Sequence, residues 1–101
     1  MTRIEILYWK DIPSQVRGED EQGRVRRILP QIYQQVIDQA AMLAGDADTD
    51  AYLAGWRAEV SESEASAQEA VDAAYDALIA EYTEERLKEM LRAYQRGPSN
   101  P

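Results

Sequence analysis

Three clusters of ionisable side chains and one aromatic turn hold whatever chemistry this chain can perform. Asp46-x-Asp48-x-Asp50 has the carboxylate spacing that opens an EF-hand calcium loop, in which alternating oxygens converge on one cation. The sixth position of such a loop is Gly and the twelfth a bidentate Glu, whereas this chain has Ala51 and Arg57 there. The carboxylates are therefore read as a helix start, where they satisfy free N–H groups and face the positive end of the dipole. Glu69, Asp72 and Asp76, at i, i+3 and i+7, place like charges on one helix face, which costs a few tenths of a kcal/mol per pair unless a base offsets them. Arg57 or solvent is the expected offset, and a basic partner protein is the sharper alternative. Arg24, Arg26 and Arg27 can grip a phosphate, or more simply pair with the acidic part of the chain. Tyr8-Trp9 followed by Lys10-Asp11-Ile12-Pro13 sets large aromatics beside a stiff polar turn. That combination is read first as a core plug with a structural Asp11, and second as a recognition patch with any exposed part of Trp9 at its centre.

Much chemistry is absent. The chain has no His and no Cys, which removes the commonest general base, thiol nucleophiles and thiolate metal sites. Carboxylates, Tyr, Lys10, Lys88 and unactivated hydroxyls remain, so an enzyme is the less favoured reading, with no catalytic residue, no cofactor and no metal expected. At 101 residues the chain has room for one small domain, and 45% hydrophobic with 30% charged residues is a globular composition.

The net charge of -8 is unevenly spread. Residues 1–44 balance, whereas 45–83 carry ten acidic groups against Arg57 alone. Such a surface repels phosphate, so nucleic acid is not expected as a partner. A basic protein surface fits better, and a homodimer is compatible with the sequence. The amino terminus has no apolar stretch of signal-peptide type and no window approaches a membrane span, so a soluble cytoplasmic protein is expected.

These groups need a scaffold to position them. Thr2 to Trp9 alternates apolar and polar residues and predicts a strand. Ser14 to Arg17 predicts a short second strand, Gly18 to Gly23 the tip of a hairpin, and Arg24 to Leu29 its return. Pro30 opens a helix with Ile32, Tyr33, Val36, Ile37, Ala40 and Ala41 on one stripe, closed by Gly45. A short helix from Asp48 or Thr49 to about Gly55 follows, then a brief strand from Trp56 to Val60. Ser61 with Glu64 has capping-box spacing, so a long helix is expected from there to about Thr83, and a last one from Glu84 to Gln95. The sum is a single α+β domain over residues 1–96, a small antiparallel sheet covered on one face by three to four helices, with 97–101 as a frayed tail.

The runs YWKDIPSQV (8–16), YQQVIDQAAMLAG (33–45), DTDAYLAGW (48–56) and EYTEERL (81–87) resemble a family of small bacterial proteins known as the virulence factor family. The matching positions are Tyr8, Trp9, Asp11, Pro13 and Gln15 in the first run and Asp48, Asp50, Tyr52 and Trp56 in the third. The acidic GEDEQG stretch departs from the basic segment that the resemblance leads one to expect. The resemblance implies a module that stands alone or ends a larger chain, and it associates such modules with one-carbon (folate and corrinoid) enzymes. Two functions follow as expectations. The first is a non-catalytic interaction or accessory module that meets a protein partner through Tyr8, Trp9, Asp11 and Gln15, through Asp48, Asp50, Tyr52 and Trp56, and through Glu69, Asp72 and Asp76. The second is a small enzyme or ligand-binding accessory of one-carbon metabolism. Because the EF-hand spacing is broken and soft ligands are absent, calorimetric titration with Ca²⁺, Mg²⁺ and Zn²⁺ should show no 1:1 site tighter than about 10 μM, the weak end of calcium-sensor affinities.

Overall fold

The computed structural model describes residues 1–45 and 50–95. Four strands and four helices follow one another as β1 (Thr2–Trp9), β2 (Ile12–Asp20), β3 (Gly23–Ile28), α1 (Gln31–Leu43), α2 (Asp50–Ala54), β4 (Trp56–Ser63), α3 (Ala67–Glu81) and α4 (Glu84–Gln95). The strands form one antiparallel sheet in the order β3-β2-β1-β4. The fold is thus α+β, as the alternation in β1 and the helical stripes predict. The expected helix start at Asp48 or Thr49, the Gly97-Pro98 stop and the tail at 97–101 lie outside the described residues.

Directly opposed residues in an antiparallel sheet share a face. Ile4 lies opposite Gly18, which lies opposite Val25, and Ile6 lies opposite Val16, which lies opposite Arg27. This face is covered by α3, whose Ala67, Ala70, Val71 and Leu78 are buried against it. Tyr33, Val36, Ile37, Ala40 and Ala41 of α1 and Leu87 of α4 complete the core with Trp9, Ile12 and Leu29. Each fully buried aliphatic side chain contributes about 1.5–3 kcal/mol against conformational entropy.

Two sequence expectations are corrected. The hairpin tip is shorter than a loop over Gly18 to Gly23, because Gly18, Glu19 and Asp20 belong to β2 and only Glu21 and Gln22 turn. The reason for a glycine here is close approach: a Cβ on Gly18 would stand 2.6 Å from Val71 Cγ2 and 3.4 Å from the Ala67 carbonyl. Asp20 then fixes the turn and the neighbouring helix together. Its Oδ1 accepts from the N–H groups of Gln22 at 2.8 Å and Gly23 at 3.1 Å, and its Oδ2 accepts from Ala67 N–H at 2.8 Å, in the first turn of α3. These backbone donors, Ala67 first, hold the Asp20 carboxyl below its usual pKa.

The second correction concerns Ser61. Residues 61–63 pair with Ile4, Arg3 and Thr2 in the sheet, so β4 runs past Val60 and α3 starts five residues late. The working N-cap is Ser66, whose Oγ accepts from Glu69 N–H at 3.2 Å with the same Ser-x-x-Glu spacing. Thr2 supports this changeover by donating its hydroxyl to the Ala65 carbonyl at 2.6 Å. The close contact at Gly18 gives a direct test. Gly18→Val should lower the urea midpoint by an amount equivalent to about 1–3 kcal/mol through overpacking against Val71, and Val71→Ala in the same chain should recover part of it.

Candidate functional site

The β1–β2 hairpin turns on Lys10 and Asp11, between the paired residues Trp9 and Ile12. Lys10 adopts φ +54, the left-handed region that non-glycine residues seldom occupy. Two bonds hold it there: Lys10 N–H donates to Gly55 O at 2.8 Å, and Arg57 Nε–H donates to Lys10 O at 2.9 Å. The turn is therefore clamped to the α2–β4 junction rather than by its own carboxylate.

Beneath it lies an aromatic cluster. Trp9 is fully buried, with its Nε1–H donating to Tyr52 O at 2.9 Å. Its ring lies 5.9 Å from that of Tyr52 and 6.3 Å from that of Tyr94, and Trp56 meets Tyr52 edge-on at 6.0 Å. Lys10 Nζ lies 4.9 Å from the Trp9 ring centroid and 5.8 Å from that of Tyr94. A glycine is required at position 55, where a Cβ would lie 2.5 Å from the indole nitrogen.

Tyr8 forms the base of a second, polar layer. The Arg57 guanidinium lies 4.5 Å from its ring centroid and is bridged to Glu59 at 2.7 Å, a hydrogen bond that keeps the guanidinium charged. Across the gap, Arg86 lies 4.5 Å from the Tyr82 ring and 3.2 Å from the Glu81 carboxylate. Tyr33 donates its hydroxyl to Tyr82 O at 2.6 Å, tying this layer to α1. Burial, then the negative charge of Glu59, pushes the Tyr8 phenol up to about 12. Burial also raises Tyr33 and Tyr82.

The sequence-predicted site residues separate into five groups. Tyr8, Trp9, Tyr52 and Trp56 do come together, but as a buttress: Tyr8 and Trp9 are buried, leaving no surface of Trp9 for a partner to touch, while Tyr52 and Trp56 are half-buried. Asp11 is exposed, and among the described residues its carboxylate caps nothing, against the expectation of a turn cap. Its charge acts instead on Arg57 and Tyr82. Gln15 is half-buried on the other side of the hairpin between Leu7 and Ile28, with Oε1 buried and unpartnered among the described residues. Asp50 is exposed in the first turn of α2, and Asp48 lies outside the described residues.

On α3, Glu69 and Asp76 are exposed, whereas Asp72 is half-buried and paired to Arg27 at 2.9 Å. The Arg27 guanidinium also stacks 3.7 Å from the Tyr75 centroid. The base that offsets this acidic face is thus Arg27, not Arg57. Of the three clustered arginines only this one pairs with the acidic helix, because it alone points to the covered side. Lys10, Gly55 and Arg57 are the site residues that sequence reasoning passed over. Only the Ala-Gly-Trp run at 54–56 carries a signal for them, a small residue set against large rings.

Among the described residues no three carboxylates converge as a metal site. No described helix is long and apolar enough to cross a membrane. The elements that make the cluster, from the end of β1 through α4, coincide with the span of a known family. The chain belongs to the virulence factor family, whose sequence profile matches residues 7–91. No curated protein and no solved structure matches it.

The raised phenols set a pH dependence. The fold favours the neutral Tyr8, so its contribution is complete below the ordinary tyrosine value of 10.0 and is lost as pH rises through about 12. Urea midpoints should therefore hold steady from pH 7 to about 9 and fall above about 10. Tyr8→Phe should make that alkaline fall shallower, and an unchanged profile would show that the Tyr8 hydroxyl is not desolvated.

Proposed function

We propose that this chain is a non-catalytic interaction or accessory module that meets a protein partner with the Lys10–Asp11 turn and the exposed carboxylates of α3. One observation carries the reading: a turn in a rare backbone conformation is clamped from outside by Gly55 and Arg57 and seated on packed aromatic rings, yet it presents an exposed carboxylate that caps no backbone group among the described residues. Strained, over-determined backbone of this kind is found where a surface must be held ready for binding. Holding it ready lowers the entropy lost on association. Asp11 is the contact group, with Lys10 and Arg57 beside it, and Trp9, Tyr52 and Trp56 set its position. Glu69 and Asp76 extend the acidic character along α3 and favour a basic partner surface. Asp50, exposed at the start of α2, is a further carboxylate open to such a partner.

The alternative reading, a ligand-binding accessory or small enzyme of one-carbon metabolism, requires convergent polar groups in a concavity. The shallow depression beside the turn, lined by Lys10, Ala51, Ala54, Gly55 and Arg57, offers mostly backbone and methyl surface. It supports the interaction reading better.

Asp11→Ala should leave the urea midpoint within about 0.5 kcal/mol of wild type, as for a surface residue with no capping role. In pull-down from the native host the same variant should lose partner. A lowered midpoint would return Asp11 to a structural role, and normal capture at the wild-type midpoint would remove the turn from the contact.

A further inference from the structure

The sheet has a second face that is largely exposed away from its Trp9 end, where Tyr52 and Tyr94 pack on the indole. Its residues alternate with those under α3: Arg3, Glu5 and Leu7 of β1; Gln15, Arg17 and Glu19 of β2; Arg24, Arg26 and Ile28 of β3; and Ala58, Val60 and Glu62 of β4. Ile28 is 63% exposed and Val60 51%, unusual for β-formers in so small a core. Leu7 and Ala58 extend them into an apolar band across the strands, interrupted by Gln15 between Leu7 and Ile28. Beside the band lie four arginines against three glutamates, a basic balance in a chain of net charge -8. Glu5 pairs with both Arg3 and Arg17, and Glu19 with Arg24 at 3.4 Å. Arg26 has no ion pair among the described residues and lies directly opposite Arg17, a like-charge pairing that costs stability.

The covered face shows what this sheet accepts. Arg26 and Arg27 are neighbours in β3 and point to opposite sides. Arg27 meets Asp72 of α3, a helix that otherwise presents Ala70, Val71 and Leu78 to the strands. Arg26 stands at the equivalent place on the open side, beside a comparable apolar band, with no carboxylate opposite it.

We propose that the open face is a docking surface for an amphipathic α-helix of a partner protein, its apolar stripe on Val60, Leu7 and Ile28 and an acidic flank on Arg24 and Arg26. A helix of about ten residues, roughly 15 Å long, spans the four strands at about 4.8 Å spacing. Single-stranded nucleic acid fits less well, because the band offers no aromatic ring for a base to stack on. A second copy of the sheet fits less well too, because it would set arginine against arginine. This surface is distinct from the Lys10–Asp11 turn, and the proposal stands or falls without it.

The test places a photo-crosslinking residue at Ile28 or at Val60 of the full chain in its native host, and sequences the segment it captures. That segment is then synthesised and titrated against the purified protein. A segment with helical apolar spacing and a Glu/Asp flank is expected. It should gain helicity in circular dichroism on binding, and it should lose about tenfold or more in affinity to Arg24→Glu with Arg26→Glu, or on going from about 50 to 500 mM salt. Lys in place of the segment's acidic flank should restore binding to that double variant. Both arginines are exposed, so the variant's urea midpoint should stay near wild type, and a collapse of that midpoint would place the two arginines in the fold and overturn the docking role. Capture of a second copy of this chain, of a basic or extended segment, or of nucleic acid would overturn the proposal. So would no capture at either position, or an affinity indifferent to the two arginines.

Discussion

The burial of Trp9 is the constraint on which the rest of this small domain depends. The largest side chain in the core closes the end of β1, and its one polar atom must find an acceptor once water is excluded. The acceptor is the Tyr52 carbonyl, far along the chain, which fixes α2 over the sheet end. That placement leaves no room for a side chain at Gly55, and the carbonyl of Gly55 then receives the Lys10 amide. The unusual backbone of the turn is thus a downstream result of packing one indole. Tyr94 of α4 lies against the same ring, so the last helix is held to the first strand by it as well.

Charge follows the two-sidedness of the sheet. The sequence shows balanced charge in its first part and an acidic middle, a contrast that sounds like a global dipole. In three dimensions it becomes something more local. Alternation along β3 sends Arg27 to the acidic helix and its neighbours to the open face, so one arginine neutralises α3 while the other two stay in solvent. Arg57, which sequence reasoning assigns to the acidic helix, is occupied with Tyr8 and Glu59 instead. Its position on β4 decides this, since that edge strand lies across β1 from α3.

Legibility in the sequence varies with how local the deciding physics is. The bounds of β1 and α4 could be read directly, because alternation from Thr2 to Ile6 among β-formers and an acidic start after Thr83 are local signals that nothing later overrides. The α3 start could not, because Ser61-x-x-Glu64 and Ser66-x-x-Glu69 have the same spacing, and only pairing with Thr2, Arg3 and Ile4 assigns the first to a strand. Gly18 and Asp20 look like loop residues for the same reason: glycine and aspartate favour turns, and their real work is against a helix about fifty residues later. The aromatic members of the candidate site were visible as residue types. Their burial, and the part played by Lys10, were not, because lysine gives no hint of a left-handed conformation.

The strand order has a consequence for how the protein is made. β1 is synthesised first and ends at the centre of the sheet, yet one of its two neighbours, β4, emerges only after both α1 and α2. Until β4 is made, that edge of β1 has no partner strand and the inner face no α3 to cover it. Arg3 and Glu5, set in an otherwise apolar strand, discourage that edge from pairing with another chain during the wait. Charges that look like surface decoration in the finished domain therefore guard its assembly.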